Sequence, residues 1–343
     1  MPFLPTVSSF FFLLCFSIVF CLSSRHWFGV WLGLELNIIS FIVLIINAKR
    51  LNSRESSIKY FLLQALGRGL FLFGFILSYI RAGSWGLCLE RELRAVFILA
   101  GLGIKLGASP FHFWVPRVIN SLSWGNALIL STFQKVAPLL FLLYLSSFKI
   151  ISPLIILGVL RALVGGLGGL NQTQLRSLIG YSSINHMGWI IRISLVSLYF
   201  SVFYLLVYLL NVVLVFWFIS KINTNKLFNI SLGTKDGEIK KCIFYLCLLS
   251  LGGLPPLLGF FPKIIALSLM VDQNLVVICL LVILGSVLSL SYYLNLFFIR
   301  CITSFSVFKQ TDMFIFYKTD IYIVFALTAL LLMGLILIET LFI

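Results

Sequence analysis

The sequence predicts an all-α membrane protein with about eleven transmembrane helices, and three observations support this prediction. Of the 343 residues, 61% are apolar and only 10% are charged, whereas about 25% of the residues of a soluble domain are charged. Apolar runs of about 20 residues, the length that crosses a bilayer, recur between short polar breaks. No polar stretch is long enough for a soluble catalytic domain. A water-soluble enzyme is therefore excluded.

Eleven apolar runs define the predicted spans of this single integral membrane domain. They lie at about 3–23, 27–47, 58–80, 94–115, 124–146, 150–170, 175–195, 197–220, 242–262, 275–299 and 320–342. Residues near 262–272 are predicted to form a short extra helix or loop, which Asp272, Gln273 and Asn274 cap.

The excess of 25 Lys and Arg over 10 Asp and Glu predicts the orientation of the chain. With eleven crossings, the loops on the N-terminal face carry fourteen basic residues and the opposite loops carry six. By the positive-inside rule, the N-terminus faces the compartment of synthesis, a cytoplasm or an organelle matrix. The first residues lack an Arg- and Ser-rich import leader, so we expect insertion where the protein is made. A nucleic-acid partner, the usual implication of a basic soluble protein, is not expected.

Five basic residues fall within or at the ends of spans: Arg68, Lys105, Lys135, Arg161 and Lys263. A charge at the bilayer centre costs about 2.5–3.5 kcal/mol on insertion scales, so such a residue is expected to face the bundle interior and mark an ion or proton route. The alternative is that the side chain snorkels to the surface or contacts a lipid headgroup. For Arg68, that alternative is the expectation.

A short internal repeat separates two halves of the chain. Residues 249–263 align with residues 103–117 through the pattern G-x-x-P-x5-P, which pairs Gly107 with Gly253, Pro110 with Pro256 and Pro116 with Pro262. The copies end the fourth and ninth spans, which are predicted to run in opposite directions, and inverted repeats are typical of ion and solute transporters. We expect two N-terminal helices, a first repeat at about 58–195 and a second at about 197–343.

Helix-breaking residues accompany the intramembrane lysines. Pro138 is predicted to kink or break the fifth span beside Lys135, and the Gly-Gly-Leu-Pro-Pro run at 252–256 to break the ninth ahead of Lys263. Backbone groups freed inside a membrane need protein or a water-filled cavity, so we expect polar, hydrated breaks. The glycine-rich run at 165–169 either contributes such a break or only allows close helix packing.

Three further side chains are candidates for proton transfer. Glu35 is the only acidic residue well within a predicted span; beside a lysine its carboxylate could stay charged and relay protons, or the two could form a static ion pair. His112 and His186 have polar neighbours near predicted helix breaks, where an imidazole could join a proton wire. A hydrogen-bonded packing role is the alternative for both histidines.

The motifs of several cofactor classes are absent from the sequence. The seven Cys include no C-x-x-C pair, so neither a disulfide framework nor an iron–sulfur cluster is expected. No G-x-G-x-x-G or G-x-x-x-x-G-K-[ST] motif occurs, which excludes the usual nucleotide-binding loops. No Cys, Asp or Glu stands at metal-ligand spacing from the histidines, and no metal site is predicted.

Five motifs, in order, resemble the family of NADH-ubiquinone oxidoreductase chain 2, an antiporter-like subunit of respiratory complex I. They are K-L-G-A-S-P-F-H-F-W-V-P at 105–116, Q-K-V-A-P at 134–138, L-N-Q-T-Q at 170–174, Y-S-S-I-N-H-M-G-W at 181–189 and L-G-G-L-P-P-L-L-G-F-F-P-K at 251–263. With the segment at Trp31, the match covers about two-thirds of the chain.

This resemblance implies a proton-translocating subunit of the mitochondrial inner membrane that itself holds no flavin, iron–sulfur cluster or quinone. FMN, the iron–sulfur clusters and ubiquinone would be bound by partner subunits. The implied partners are other membrane-arm subunits, including neighbouring antiporter-like ones, and membrane lipids such as cardiolipin.

The resemblance also implies roles for individual residues. Glu35 and Lys105 would be the paired carboxylate and lysine, Lys135 the central relay lysine and Lys263 the lysine near the exit side. Three arginines depart from the family pattern: Arg117, where an acidic residue is expected, and Arg68 and Arg161, where small or apolar side chains are usual.

The resulting hypothesis is that redox chemistry elsewhere in the complex drives protons along Glu35, Lys105, Lys135 and Lys263. Two alternatives are a freestanding cation/proton antiporter, which the inverted repeat equally permits, and a non-pumping structural scaffold whose lysines bind lipid phosphates.

Overall fold

The protein is an assembly of helices, as the composition predicts. A computed structural model describes residues 5–48, 51–83, 92–146, 151–222 and 238–307, and these ranges contain thirteen α-helices. The helices are α1 Pro5–Ser23, α2 Trp27–Ile46, α3 Leu51–Ala82, α4 Glu92–Leu106, α5 Trp114–Ser121, α6 Trp124–Ser131, α7 Phe133–Ser146, α8 Ile151–Leu170, α9 Leu175–Ser194, α10 Leu198–Ile222, α11 Glu238–Gly252, α12 Phe261–Asp272 and α13 Val276–Val307.

Long, apolar helices with exposed apolar faces identify the membrane-spanning part. Within the described ranges, six segments are long and apolar enough to cross a bilayer: Trp27–Ile46, Ser53–Ile80, Trp124–Ser146, Pro153–Leu170, Leu198–Ser220 and Val276–Ile299. Large apolar side chains point outward, among them Phe12, Leu66 and Val277, which are 73%, 64% and 72% exposed. Exposed apolar surface on this scale requires lipid or a protein partner.

The described residues group into two compact units, and the division falls at Leu160 and Arg161 inside α8. In the first unit, α2 packs between α1 and α3, α3 packs on α4 and α5, and α7 contacts α1, α2, α4 and α6. In the second unit, α9 contacts α10, α12 and α13, and α11 contacts α10 and α13. The predicted repeat boundaries, 58–195 and 197–343, stay predictions.

Helix α9 is the most deeply buried element of the second unit. Nineteen of its 20 residues are buried, although many are polar. Part of this polarity is satisfied inside the protein; for example, the Asn185 side chain donates to the Gly285 carbonyl at 3.3 Å and to Ser289 Oγ at 2.9 Å. For these groups, neighbouring helices replace water as hydrogen-bond partners, whereas the Arg192 guanidinium has no hydrogen-bond partner among the described residues.

The glycine-rich run of α8 packs closely against its neighbours, as predicted. A Cβ atom on Gly165 would lie 2.5 Å from the backbone nitrogen of Asn185, and one on Gly166 would lie 2.7 Å from the carbonyl oxygen of Gly285. The run therefore allows α9 and α13 to approach the α8 backbone. Because α8 continues to Leu170, the glycines do not break the helix.

The fourth and ninth predicted spans are wrong at their C-terminal ends, because both helices stop earlier. Gly107 and Gly253 have φ of +68° and +79°, a left-handed conformation that glycine adopts without steric cost. At each glycine, paired backbone bonds close the helix end: Ala108 N to Gly103 O and Gly107 N to Ile104 O in one, Leu254 N to Leu249 O and Gly253 N to Ser250 O in the other.

The two breaks match at the offset of 146 that the sequence repeat predicts. After each break a short helix begins, α5 at Trp114 and α12 at Phe261, and each break contains a cis X-Pro bond, at Pro110 and Pro256. Of the two alternatives for residues near 262–272, the helix is confirmed.

The fifth predicted span is also broken, but not where it was expected. Pro138 lies inside α7, so it does not break the helix, and the alternative that it kinks the helix stays a prediction. The break is instead at Thr132, between α6 and α7. The hydroxyls of Ser131 and Thr132 both donate to the Leu128 carbonyl, at 2.9 and 2.7 Å, and such local side-chain bonds compete with continuation of a helix. The eleventh predicted span, 320–342, lies outside the described residues.

Candidate functional site: buried lysines at the helix breaks

Lys105 and Lys135 line the same cavity in the first unit. Only 7% of Lys105 and 5% of Lys135 is exposed. The cavity has about 20 Å³ open to a water-sized sphere, which is enough for at least one water molecule. It is walled by residues of α2, α3, α4, α5, α6 and α7, and its polar lining consists of Asn37, Tyr60, Gln64, Gln134 and the two lysines.

A chain of uncharged polar groups holds the wall of this cavity in place. The Tyr60 hydroxyl donates to Gln134 Oε1 at 3.0 Å, and Gln134 Nε2 donates to Asn37 Oδ1 at 2.6 Å. Gln64 Nε2 donates to the backbone carbonyl of Lys105 at 3.4 Å. These bonds link α2, α3, α4 and α7, so the backbone that carries both lysines is fixed by side chains that cannot titrate near neutral pH.

The two lysines occupy opposite kinds of helix terminus. Lys105 lies in the last turn of α4, where the helix dipole stabilises a positive charge, whereas Lys135 is the third residue of α7, where the dipole opposes it. Trp114 Nε1 donates to the Ile104 carbonyl at 3.1 Å and so satisfies part of the α4 terminus. The ends of broken helices thus give the two ammonium groups unequal electrostatic environments.

The predicted ion pair between Glu35 and Lys105 is not formed in this structure, and their role as the paired carboxylate and lysine stays a prediction. The Glu35 carboxylate accepts a hydrogen bond from Arg68 Nη1 instead. Lys105 Nζ is buried and has no hydrogen-bond partner within the described ranges, although the charge of Glu35 acts on it. The expectation that Arg68 snorkels is wrong, because its side chain is 19% exposed and bonded to a carboxylate that is 14% exposed.

Lys263 forms the corresponding centre of the second unit. Its ammonium, in a side chain only 5% exposed, donates to the carbonyl oxygen of Gly252 at 2.6 Å. Gly252 is the last residue of α11, so the positive charge meets the negative end of the helix dipole. In the local repeat, Lys263 aligns with Arg117, an exposed residue, and not with Lys105. The break is repeated, but the buried lysine precedes it in one unit and follows it in the other.

His186 lies beside this second break. Its Nε2 is 3.1 Å from the Leu251 carbonyl oxygen, and its Nδ1 is 3.1 Å from the Tyr204 hydroxyl. Because a carbonyl only accepts, Nε2 carries the hydrogen, and in the neutral ring Nδ1 accepts from Tyr204. His186 and Lys263 therefore bond consecutive carbonyls at the end of α11. The histidine itself is in the middle of the unbroken helix α9.

His112 is placed differently from the other candidates. It lies in the break between α4 and α5, where its ring packs on Phe113 with centroids 4.0 Å apart, and it is 8% exposed. It does not line the cavity of Lys105 and Lys135. The structure thus brings Lys105 and Lys135 together, and His186 and Lys263 together, but does not join His112 to either pair.

Sequence reasoning missed two groups of residues. Asn37, Tyr60, Gln64 and Gln134 were not singled out, although their polarity inside apolar spans is a signal. Arg192, which is one of the six basic residues counted in the opposite loops, is fully buried, and like Arg161 it has no hydrogen-bond partner for its guanidinium among the residues described. The position of Arg192 inside the predicted span 175–195 was the available signal.

The sequence of this chain is similar to those of known membrane proteins. The family model described as NADH:quinone oxidoreductase/Mrp antiporter, TM, matches residues 24–289. NADH-ubiquinone oxidoreductase chain 2 of Anopheles gambiae is 40% identical over 293 residues, which are 84% of this chain and 83% of the relative. The chain belongs to the family of NADH-ubiquinone oxidoreductase chain 2. The resemblance inferred from the five motifs is confirmed.

Solved structures agree with membership in the chain 2 family. A chain of respiratory complex I from Thermus thermophilus superposes with a TM-score of 0.80 at 30% identity, over 96% of this chain and 78% of the other. A chain of the Mrp complex from Dietzia sp. DQ12-45-1b gives a TM-score of 0.75 at 18% identity, over 83% of this chain and 58% of the other. At this identity, the likeness shows the fold alone. The predicted all-α polytopic fold is confirmed.

Proposed function

We propose that this chain is a proton-translocating membrane subunit of respiratory complex I, in which NADH:ubiquinone electron transfer drives protons through a relay of buried side chains. One observation carries the proposal: Lys105 and Lys135 line one water-sized cavity at two helix breaks. Burying two ammonium groups costs several kcal/mol each and adds no apolar packing, so a static scaffold would not need them.

The first unit supplies one proton transfer in this mechanism. Lys105 gives a proton through cavity water to the neutral amine of Lys135, so that one ammonium is lost and one is formed. Lys135 is the acceptor whose helix terminus opposes charge, so the transfer needs a driving field, and redox chemistry in partner subunits supplies it. The hydrogen-bonded wall of Tyr60, Gln134 and Asn37 keeps the path open without competing for the proton.

The second unit supplies a further transfer step at His186 and Lys263. A neutral imidazole both accepts and donates, so His186 takes a proton from water at Nδ1 while Nε2 stays bonded to the Leu251 carbonyl. The imidazolium then returns one proton to water, which protonates the neutral amine of Lys263, and the Gly252 carbonyl stabilises the ammonium that forms. Glu35 is the carboxylate whose charge acts on Lys105, and His112 is an additional relay group.

The same proposal extends to location and partners. The chain is a multi-pass protein of the mitochondrial inner membrane, as the names of its relatives indicate, with its N-terminus on the matrix side, as the loop charges favour. It assembles with other membrane-arm subunits and binds lipids such as cardiolipin. It is part of a proton-translocating NADH:ubiquinone reductase, and we place flavin, iron–sulfur clusters and ubiquinone in the partner subunits.

The test replaces Lys135 by Met in the assembled complex, sealed in vesicles, and measures protons moved per NADH oxidised together with the turnover rate. Methionine keeps the length of the side chain and removes the charge. We expect pumping to fall about a hundredfold or more, the lower end of the usual contribution of a positioned proton-transfer group, with assembly retained. The matched control is Lys59→Met on α3, an exposed lysine paired with Glu55 at 2.5 Å, which should pump normally.

Unchanged stoichiometry and rate in Lys135→Met would defeat the relay. Mild solubilisation separates the antiporter alternative: comigration of the chain with NADH-oxidising activity supports a complex I subunit, and migration alone supports a freestanding carrier.

A further inference from the structure

Arg68 is fixed on two sides inside the first unit. Its Nη1 donates to the Glu35 carboxylate across the contact between α3 and α2, and its guanidinium carbon lies 5.4 Å from the centroid of the Phe61 ring. Both the arginine and the carboxylate are largely buried. A charge pair held in this way is oriented by geometry as well as by attraction.

Lys105 is a second cation on which the Glu35 carboxylate acts electrostatically. Glu35 and Arg68 are both charged groups that act electrostatically on Lys105. Within the described part of the chain, Lys105 Nζ has no hydrogen-bond partner and lies 6.0 Å from the centroid of the Phe71 ring. The carboxylate of Glu35 is therefore bonded to Arg68, whereas the buried ammonium of Lys105 that it acts on has no bonded partner in the described residues.

The two cations differ in their chemistry. Arginine keeps its proton under all physiological conditions, whereas a buried lysine can lose one. Arg68 can therefore hold Glu35 without ever carrying the moving proton. When Glu35 is bonded to Arg68, the Lys105 ammonium lacks a counter-ion, and a low-dielectric interior favours its neutral form.

We propose that Arg68 is a positioning residue that competes with Lys105 for the Glu35 carboxylate and thereby controls when Lys105 passes its proton to the cavity that it shares with Lys135. The proposal rests on the proposed function. With Glu35 on Arg68, Lys105 releases the proton through cavity water to the Lys135 amine. With Glu35 bonded to Lys105 instead, Lys105 keeps its proton, and the guanidinium of Arg68 keeps its contact with the Phe61 ring.

The experiment compares Arg68→Leu, Arg68→Lys, Glu35→Gln and the double variant Glu35→Gln with Arg68→Leu, each in the assembled complex in sealed vesicles. Proton-coupled NADH oxidation should fall about fivefold or more in Arg68→Leu, the lower end of typical coupling between sites. Arg68→Lys should restore only part of the rate, because a buried lysine keeps the charge only while it keeps its proton. In the Glu35→Gln background, Arg68→Leu should add nothing, since Arg68 acts only through that carboxylate.

A structural role gives a different pattern. If Arg68→Leu pumps at the normal rate, or slows the complex further in the Glu35→Gln background, the proposal is overturned. Should Arg68→Leu fail to assemble, the uncharged double variant still decides. If the double variant assembles and pumps at the rate of Glu35→Gln alone, the proposal is supported. If it pumps more slowly than Glu35→Gln, the proposal is overturned. Lys59→Leu, on the same helix in an exposed ion pair, is the control and should change nothing.

Lys105→Met, assayed in parallel, separates this proposal from the proposed function. If Lys105→Met abolishes pumping and Arg68→Leu has no effect, only the competition is wrong. If Lys105→Met pumps normally, the relay itself is wrong.

Discussion

The Lys263 ammonium donates a 2.6 Å hydrogen bond to the carbonyl oxygen of Gly252, the last residue of α11. This bond joins the two helices that flank the break, since Lys263 belongs to the first turn of α12. Carbonyls at a helix terminus lack intrahelical partners, and an ammonium needs a counter-charge, so each group satisfies the other. The lysine and the helix end to which it bonds thus stabilise each other.

Gly253→Ala should disrupt the hydrogen bond between Lys263 and the end of α11. Gly253 has φ +79°, and a Cβ atom there would lie 2.6 Å from Lys263 Nζ. We expect a loss of about 1–2 kcal/mol from the left-handed backbone, displacement of the lysine and reduced pumping. The measurements are thermal unfolding of the purified complex and protons moved per NADH. Gly69→Ala on α3, where a Cβ meets nothing within 4 Å, is the control, and equal behaviour of the two variants would contradict the prediction.

The break ahead of Lys263 could be predicted from the sequence because Gly and Pro act locally on the backbone, whereas the predicted fourth span, 94–115, ran through the matching break after Lys105. Glycine permits the left-handed turn and proline cannot donate the next helical bond, so the pattern G-x-x-P marks both sites without knowledge of the fold. The break at Thr132 could not be located in this way. Serine and threonine only compete with the helix, and Pro138 was the stronger local signal.

The partner of Glu35 could not be predicted either. A carboxylate buried in an apolar span needs a cation, but two cations are available to it: Arg68, which bonds to it, and Lys105, on which its charge acts. Which one bonds depends on how α2, α3 and α4 are rotated about their axes. The same holds for Gln134, whose bonds to Asn37 and Tyr60 span 97 and 74 residues of sequence.

Gln134→Leu should destabilise the first unit and slow pumping. The substitution leaves the Tyr60 hydroxyl and the Asn37 side-chain oxygen without partners, each at a cost of about 1–3 kcal/mol. Thermal unfolding of the complex measures the loss. Tyr60→Phe should cost less in the Gln134→Leu background than in the native protein, because groups of one network are not additive. Strict additivity would show that the two side chains are not coupled.

Gly166→Ala should weaken the packing of α8 on α13. Its Cβ would lie 2.7 Å from the Gly285 carbonyl oxygen and 2.9 Å from Leu288 Cβ. Since the first of these is backbone, the helices must separate, at a typical cost of about 1–3 kcal/mol for overpacking. The yield and melting temperature of the complex report this loss. Gly125→Ala, with open space around the new atom, should match the unaltered protein, and a fully stable Gly166→Ala complex would contradict the packing.

His186→Gln and His186→Leu together distinguish a proton relay from a packing histidine. Glutamine can donate to the Leu251 carbonyl and accept from Tyr204, as the neutral imidazole does, but it cannot exchange a proton near neutral pH. Leucine leaves both partners unsatisfied. If His186 is a relay group, both variants should lose pumping, and only His186→Leu should also lose stability, by about 1–3 kcal/mol for each orphaned group. Measurements of proton flux and thermal unfolding on the same preparations are required, because either one alone mixes the two roles. Normal pumping by a stable His186→Gln complex would assign the histidine to packing and leave Lys263 to carry the proton in the second unit.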